Sequence, residues 1–368
     1  MIYQNHSSLW QVFAEYRAKN LTEATQCSVR QEKSFMNKWC NFTSENDGHS
    51  YYCRKSKIKQ LTCNTWSHSY SENGIYAPLN TTERSILGLS VVNPRDDVLQ
   101  SSVNVSVNGA PNNVELKAAT TPCRKLPSVI TWQQKSPNGF FMKNKWHSLL
   151  CSDTLPRTVD AYRQCLKGKT LWLHGDSTSR QFKDALHSVL RFPSHADGHV
   201  PATDTDVKHN FSISWQAHEL PFYHGNRRYN TSTNQGQHVM MDRLPNTTKD
   251  IVVLYMYVHF TLVHPDVFRR HVQRLVPSVK NLLARAPNVT IAVRGPHAFF
   301  RPKLGLLSYW GLLYTNIWHE AFASLQHKLV YLDFWDMTMA KSSRNFHPPM
   351  GTVKEMVHNM MSLLCFRK

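Results

Sequence analysis

No apolar stretch of this chain is long enough to cross a bilayer. The longest, Ile251 to Val263, spans 13 residues and is interrupted by His259, well short of the roughly 20 that a membrane-spanning helix needs. Acidic residues are scarce, 25 against 43 Lys and Arg, which leaves a net charge of +18 with 20 His uncounted. That balance favours anionic partners: nucleic acid, sulfated or sialylated glycans, anionic lipid, or the phosphates of a nucleotide-bearing cofactor. The basic residues are scattered, however. Short clusters such as Arg54-Lys55-Ser56-Lys57 occur, but a long basic tail and a nucleic-acid-binding motif are both missing, which argues against nucleic acid. The cysteines contain no C-x2-C pair, so the spacing marks neither a zinc site nor a thioredoxin-like motif, and no metal ligand set is expected. No repeat of about 20–50 residues is present, which excludes solenoids and propellers. The first 25 residues hold no continuous apolar run, so Met1 is not expected to open a secretory signal.

What is there points to an oxidising compartment. Asn-X-Ser/Thr acceptors stand at Asn5, Asn20, Asn41, Asn80, Asn104, Asn210, Asn230, Asn246 and Asn288, about twice the number chance would place. The eight cysteines are an even set, and four of them, Cys27, Cys40, Cys53 and Cys63, crowd near the N-terminus. The crowding reads as a local disulfide cluster whose pairing the spacing leaves open. A secreted or Golgi-luminal glycoprotein is expected, with this chain a fragment or isoform that lacks its signal segment.

The length of 368 residues and a hydrophobic content of 41% suit two domains with real cores. Residues 1–120 are polar and cysteine-rich and read as short strands stapled by bridges. One such strand is Val103 to Val107, with alternating apolar positions, ending in the Asn108-Gly109 turn. Residues 121–156, punctuated by Pro122, Pro127 and Pro137, read as a connection. From 157 to 368 apolar strands alternate with amphipathic helices. Strands are expected at Thr170–His174, Ile251–Tyr257, Val289–Val293 and Lys328–Phe334. Helices are expected at Thr178–Leu190, Val267–Ala284, Leu306–Gln326 and Thr352–Leu364. This is the pattern of an α/β fold, a parallel sheet with helices on both faces, preceded by a small β-rich disulfide-containing region.

The first strand runs through His174 into Gly175-Asp176-Ser177 and then a helix. Ser177 is thereby set at the carboxyl end of a strand, where open α/β sheets hold their sites. Its backbone N–H opens a helix, where it can donate to a developing oxyanion, and Gly175 permits the tight turn. A cap explains the same residues, since Asp or Ser before a helix satisfies a free N–H. A nucleophilic serine needs a base and the base an orienting group. His347, between the last strand and the last helix and fixed by Pro348 and Pro349, fits the base. Asp336, the nearest carboxylate at that strand end, fits the orienting group, though it is an equally good turn former.

Five segments carry a family resemblance: Trp146 to Cys151, Cys165 to Lys169, Gly175 to Gln181, Trp335 to Thr338, and His347-Pro348-Pro349. On these the chain resembles the neurexophilin and PC-esterase domain (NXPE) family, with residues 1–120 a shortened neurexophilin-like region. The C-terminal part is similar to SGNH/GDSL-type esterases and glycan O-acetyltransferases. The resemblance implies a Ser177 nucleophile and a His347 base. Related enzymes place an Asp shortly before that histidine. Arg344 and Asn345 stand there in this chain, so the third role is assigned to Asp336. Oxyanion or substrate contacts are expected from Gly175, Asp176, Arg180, His259 and Arg294. The implied activity is transfer of acetyl from acetyl-CoA, a co-substrate rather than a tightly bound cofactor, to sialic acid on glycoproteins, or the related ester hydrolysis. The alternative is a catalytically inactive, secreted neurexophilin-like binding glycoprotein.

Overall fold

The computed structural model describes residues 10–30, 38–73, 119–193, 200–222, 228–301, 306–341, 343 and 345–367. The strand expected at Val103–Val107 and the acceptors Asn5, Asn80 and Asn104 lie outside the described residues.

Strands β1 (Trp10–Ala18), β2 (Leu21–Ser28), β3 (Trp39–Asn41), β4 (Tyr52–Arg54) and β5 (Trp66–Asn73) form an N-terminal antiparallel sheet in the order β3-β4-β2-β1-β5. Disulfides Cys27–Cys53 and Cys40–Cys63 staple it, so the clustered cysteines bridge among themselves. Cys123–Cys151 and Cys165–Cys365 pair the remaining four, leaving no free thiol. The connecting segment carries the short helix α1 (Ser128–Thr131) and a hairpin, β6 (Gly139–Met142) with β7 (Lys145–Ser148).

The larger part then alternates. It runs α2 (Val159–Leu166), β8 (Thr170–Trp172), α3 (Ser177–Leu190), β9 (Ala202–Asp206), β10 (Phe211–Trp215), α4 (Gln237–Arg243), β11 (Ile251–Leu254) and α5 (Pro265–Arg285). It continues through β12 (Thr290–Arg294), a small hairpin of β13 (Phe300–Arg301) and β14 (Leu306–Leu307), α6 (Tyr309–Ala321), β15 (Val330–Leu332), α7 (Trp335–Ala340) and α8 (Met350–Leu364). The sheet order is β15-β12-β11-β8-β10-β9. All strands are parallel except β9, which closes the edge antiparallel to β10.

The strands read as continuous apolar runs because each feeds two cores. Ile251, Val253, Ala292, Val330 and Leu332 face a cluster shared with Phe182 and Leu186 of α3 and with Val353 and Met360 of α8. Their neighbours Val252, Leu254, Ile291, Val293 and Tyr331 face Phe268, Val272 and Leu275 of α5 and Trp318 of α6. Side chains that alternate between faces thus account for helices on both sides. From β8 the chain goes outward to β10, then returns past β8 to β11 and onward. β8 is therefore where the strand order reverses, and a crevice is expected beyond the carboxyl ends of β8 and β11. The N-terminal sheet docks beside this part. Ser69 pairs with Tyr229, and the Asn46 side chain bonds both the N–H and the C=O of Leu220, at 2.8 and 2.9 Å.

The described glycosylation acceptors sit where a glycan can be attached. Asn20, Asn41, Asn210, Asn246 and Asn288 are exposed and Asn230 is half-buried. Among the described residues no helix is long and apolar enough to cross a membrane.

Candidate active site

The turn after β8 builds the site. Gly175 has φ +151°, and a Cβ there would meet the Tyr255 carbonyl oxygen at 2.7 Å, so no other residue lets the end of β8 pass this close to β11. Asp176 follows as the N-cap of α3. Its fully buried carboxylate accepts from the Thr178 N–H at 2.8 Å, the Thr178 hydroxyl at 2.8 Å and the Val258 N–H at 2.9 Å. Burial pushes this carboxyl up, but His259, His218 and these hydrogen bonds outweigh it and hold it at about 2. Burial also drives His218 below its usual value. Asp176 ties α3 to the segment after β11 and leaves the next residue, Ser177, as the first of the helix.

Ser177 Oγ lies 2.6 Å from Nε2 of His347. The two are 170 residues apart in sequence, and the sheet brings them to one edge. The serine is buried and the histidine half-buried, so the pair lies beneath the surface with the histidine toward solvent. The loop carrying His347 is pinned from three directions. Asn345 Oδ1 accepts the His347 N–H at 3.2 Å, Gln181 Nε2 donates to the Pro348 carbonyl at 3.1 Å, and His297 Nε2 donates to the Phe346 carbonyl at 2.8 Å. Burial, with Arg294 nearby, pushes His297 down to about 3, so it is neutral and serves as a fixed donor. The Ser177 N–H is one of the first-turn amides of α3 that have no acceptor within the helix, and it stands beside the Ser177 oxygen. The arrangement can deprotonate a hydroxyl and stabilise negative charge next to it, which are the two requirements of an acyl-serine reaction.

Other expected residues lie elsewhere. The Asp336 carboxylate takes the Asn138 N–H at 2.8 Å and the Ser136 hydroxyl at 3.1 Å. It fastens the connecting segment to α7, and these hydrogen bonds direct it to that segment instead of to His347. Arg294 is 1% exposed, sandwiched between the rings of Phe182 and Tyr255 at 3.9 and 4.1 Å, and its Nη1 donates to the Thr178 carbonyl at 3.0 Å. It anchors the first turn of α3 from below and is not placed to meet a substrate. Arg180, one helical turn beyond Asp176, is partly exposed and sits 3.9 Å from Asp184. His259 is buried, with Nδ1 2.9 Å from His218 Nε2, and belongs to the support around Asp176. The Val258 N–H, at the end of the same segment, is spent on Asp176 rather than free for an oxyanion.

Three supporting residues had no signal in the chain read alone. Gln237 bonds both the N–H and the C=O of Tyr255, at 3.3 and 2.7 Å. His218 donates from Nδ1 to the Glu219 carbonyl at 2.6 Å. Asn234 donates to the His218 carbonyl at 2.8 Å. His218 and Asn234 lie in a polar connection without periodicity and Gln237 opens the short helix α4, and only the fold gathers them behind the Gly175–Ser177 turn.

These features define an α/β domain with a serine–histidine pair at the carboxyl edge of a parallel sheet. The family model described as "NXPE family member 4-like, C-terminal domain" matches residues 146–365. The match covers more than half of the chain, and the chain belongs to the NXPE family. Among solved structures it is similar to the periplasmic domain of a lipopolysaccharide acetyltransferase from Salmonella ser. Paratyphi A. That similarity has 12% identity over 55% of this chain and 86% of that one, with a TM-score of 0.33.

Proposed function

We propose that the chain is an O-acyltransferase that moves an acetyl group from acetyl-CoA to a hydroxyl of a sialylated glycan in the secretory pathway. The observation that carries this reading is the 2.6 Å contact between Ser177 Oγ and His347 Nε2 at the open edge of the sheet. In the first half-reaction Ser177 Oγ attacks the thioester carbonyl while His347 takes its proton. The tetrahedral oxyanion lies against the Ser177 N–H, and the thiolate leaves with the proton from His347, giving acetyl-Ser177. In the second, a sugar hydroxyl gives its proton to His347 and attacks the acetyl carbonyl. Ser177 Oγ then departs and recovers the proton. The net charge of +18 suits both a carboxylated acceptor and a phosphate-bearing donor. Four disulfides and exposed glycosylation acceptors support a secreted or Golgi-luminal setting.

The test is incubation of the purified, glycosylated protein with acetyl-labelled CoA thioester and sialylated mucin glycans. Label is expected on the glycan, and none after prior removal of sialic acid. Label on water-released acetate alone would make the protein an esterase. No label anywhere, with the folded protein retaining sialylated glycan on a column, would make it a binding protein.

Asp336 offers a separate check on which residues act in this reaction. Asp336→Ala is expected to lower stability by about 1–3 kcal/mol, because it leaves the Asn138 N–H without its charged acceptor. The rate per folded molecule should stay at the wild-type level. Thermal melts paired with active-site titration would read this, and a large loss of rate with unchanged melting would return Asp336 to the catalytic machinery.

A further inference from the structure

Away from Ser177 and His347, the structure gathers a second set of reactive side chains where the N-terminal sheet meets the α/β part. His49, from the loop between β3 and β4, Glu219, from the connection after β10, and His271 of α5 are all buried, and their ligating atoms lie within 4.8 Å of one another. Glu219 Oε1 is 2.5 Å from His271 Nδ1 and 3.4 Å from His49 Nε2. Glu219 Oε2 and His49 Nε2 are buried without a hydrogen-bond partner. Leaving polar atoms unsatisfied in the interior is costly, and a buried carboxylate costs several kcal/mol more unless a cation offsets it. The two imidazoles stack 3.8 Å apart and 7° from parallel, and in that arrangement neither donates to Glu219 Oε2.

We propose that His49, Glu219 and His271 form a zinc site that joins the N-terminal sheet to the α/β part. Two imidazoles and a carboxylate are the donor set zinc takes, and zinc holds such ligands about 2.0–2.2 Å away, hence about 3.4 Å from each other in a tetrahedron. Closing the present spacing needs one ring to turn about its Cβ–Cγ bond until both nitrogen lone pairs converge. A cleft of about 170 Å³ borders both histidines, gives room for that turn and supplies water for the fourth position. The ion would neutralise Glu219 and satisfy the two orphaned atoms together. The sequence gives no spacing signal for it, because the three ligands come from three segments far apart along the chain.

The experiment uses the full chain secreted behind an added signal and purified without a metal-affinity column or chelator. Elemental analysis is expected to find about one zinc per molecule, and treatment with a strong chelator followed by dialysis should lower the melting temperature, which added zinc restores. His49→Gln and Glu219→Gln should each reduce zinc content to near zero while the four disulfides still form. Wild-type protein that carries no zinc and shows no melting shift when zinc is titrated in would overturn the proposal. Full zinc retention by both variants would do the same by placing the ion elsewhere. Should a variant fail to fold, the wild-type content and the chelator-dependent shift decide the matter alone. These readouts use no acyl transfer, so they stand or fall apart from the function proposed for Ser177.

Discussion

Ser177→Ala removes acyl transfer, and His347→Ala lowers it by about 10²–10⁴. The histidine figure is the usual contribution of a positioned general base. The serine figure is at least as large, because the atom that would carry the acetyl group, 2.6 Å from His347 Nε2, is gone. Since the two act as one unit, the double variant should be no slower than Ser177→Ala. Stability should change little, because the cap of α3 is Asp176 and not Ser177. Initial rates of labelled acetyl transfer for the three variants, normalised to folded protein, would read this. A Ser177→Ala protein as active as wild type would refute the acyl-serine mechanism outright. A double variant far slower than either single change would mean that the two residues act in separate steps.

The Ser177–His347 pair was legible because each residue carries its own local signature. A buried strand, a glycine and a small polar residue before a helix can be recognised in a short window, and so can a histidine followed by two prolines. The central strands were legible for a related reason. Ile251 to Leu254 are buried on both faces, so they form a continuous apolar run that stands out from the polar connections. The edge pair β9 and β10 was not expected. Ala202 to Asp206 alternate Thr and Asp over half-exposed backbone, and such a strand is defined by its partner more than by its own residues. The alternation of Phe211, Ile213 and Trp215, all buried, was the signal that could have found β10.

The two expected site residues that make their contacts elsewhere do so for one reason. Asp336 and Arg294 both stand at the carboxyl ends of strands, and chain position there says nothing about where a side chain turns. Helix α7 begins at Trp335 and rotates Asp336 toward Asn138. Arg294 points into the aromatic layer of Phe182 and Tyr255. Direction is a property of packing, which only the assembled fold supplies.

Replacing Cys165 and Cys365 together by Ala is expected to destabilise the protein more than removal of any other bridge. The Cys165–Cys365 disulfide closes 200 residues, against 26, 23 and 28 for the others. Loop-closure entropy gives about 5 kcal/mol for the long loop and about 3.5 kcal/mol for the short ones. The bond joins α2 to the end of α8, and α8 is also lashed down by polar contacts to the same stretch. Tyr162 Oη lies 2.6 Å from His358 Nδ1, His358 Nε2 lies 2.5 Å from Asp153 Oδ2, and Arg157 pairs with Glu355 at 2.6 and 3.0 Å. These contacts keep the helix in place near its native position but do not restrict the unfolded chain, so they cannot replace the covalent closure. Because Pro348 and Pro349 lead directly from His347 into α8, loosening that helix also loosens the base relative to Ser177. Denaturant titrations of the double-alanine protein should show a midpoint lowered in proportion to the lost free energy. Acyl transfer should fail at or below the denaturant concentration at which α8 releases. If instead the midpoint moved less than on removing Cys27–Cys53, the unfolded chain would have to be held near its native ends by other means, and the loop-entropy account of this bridge would fail.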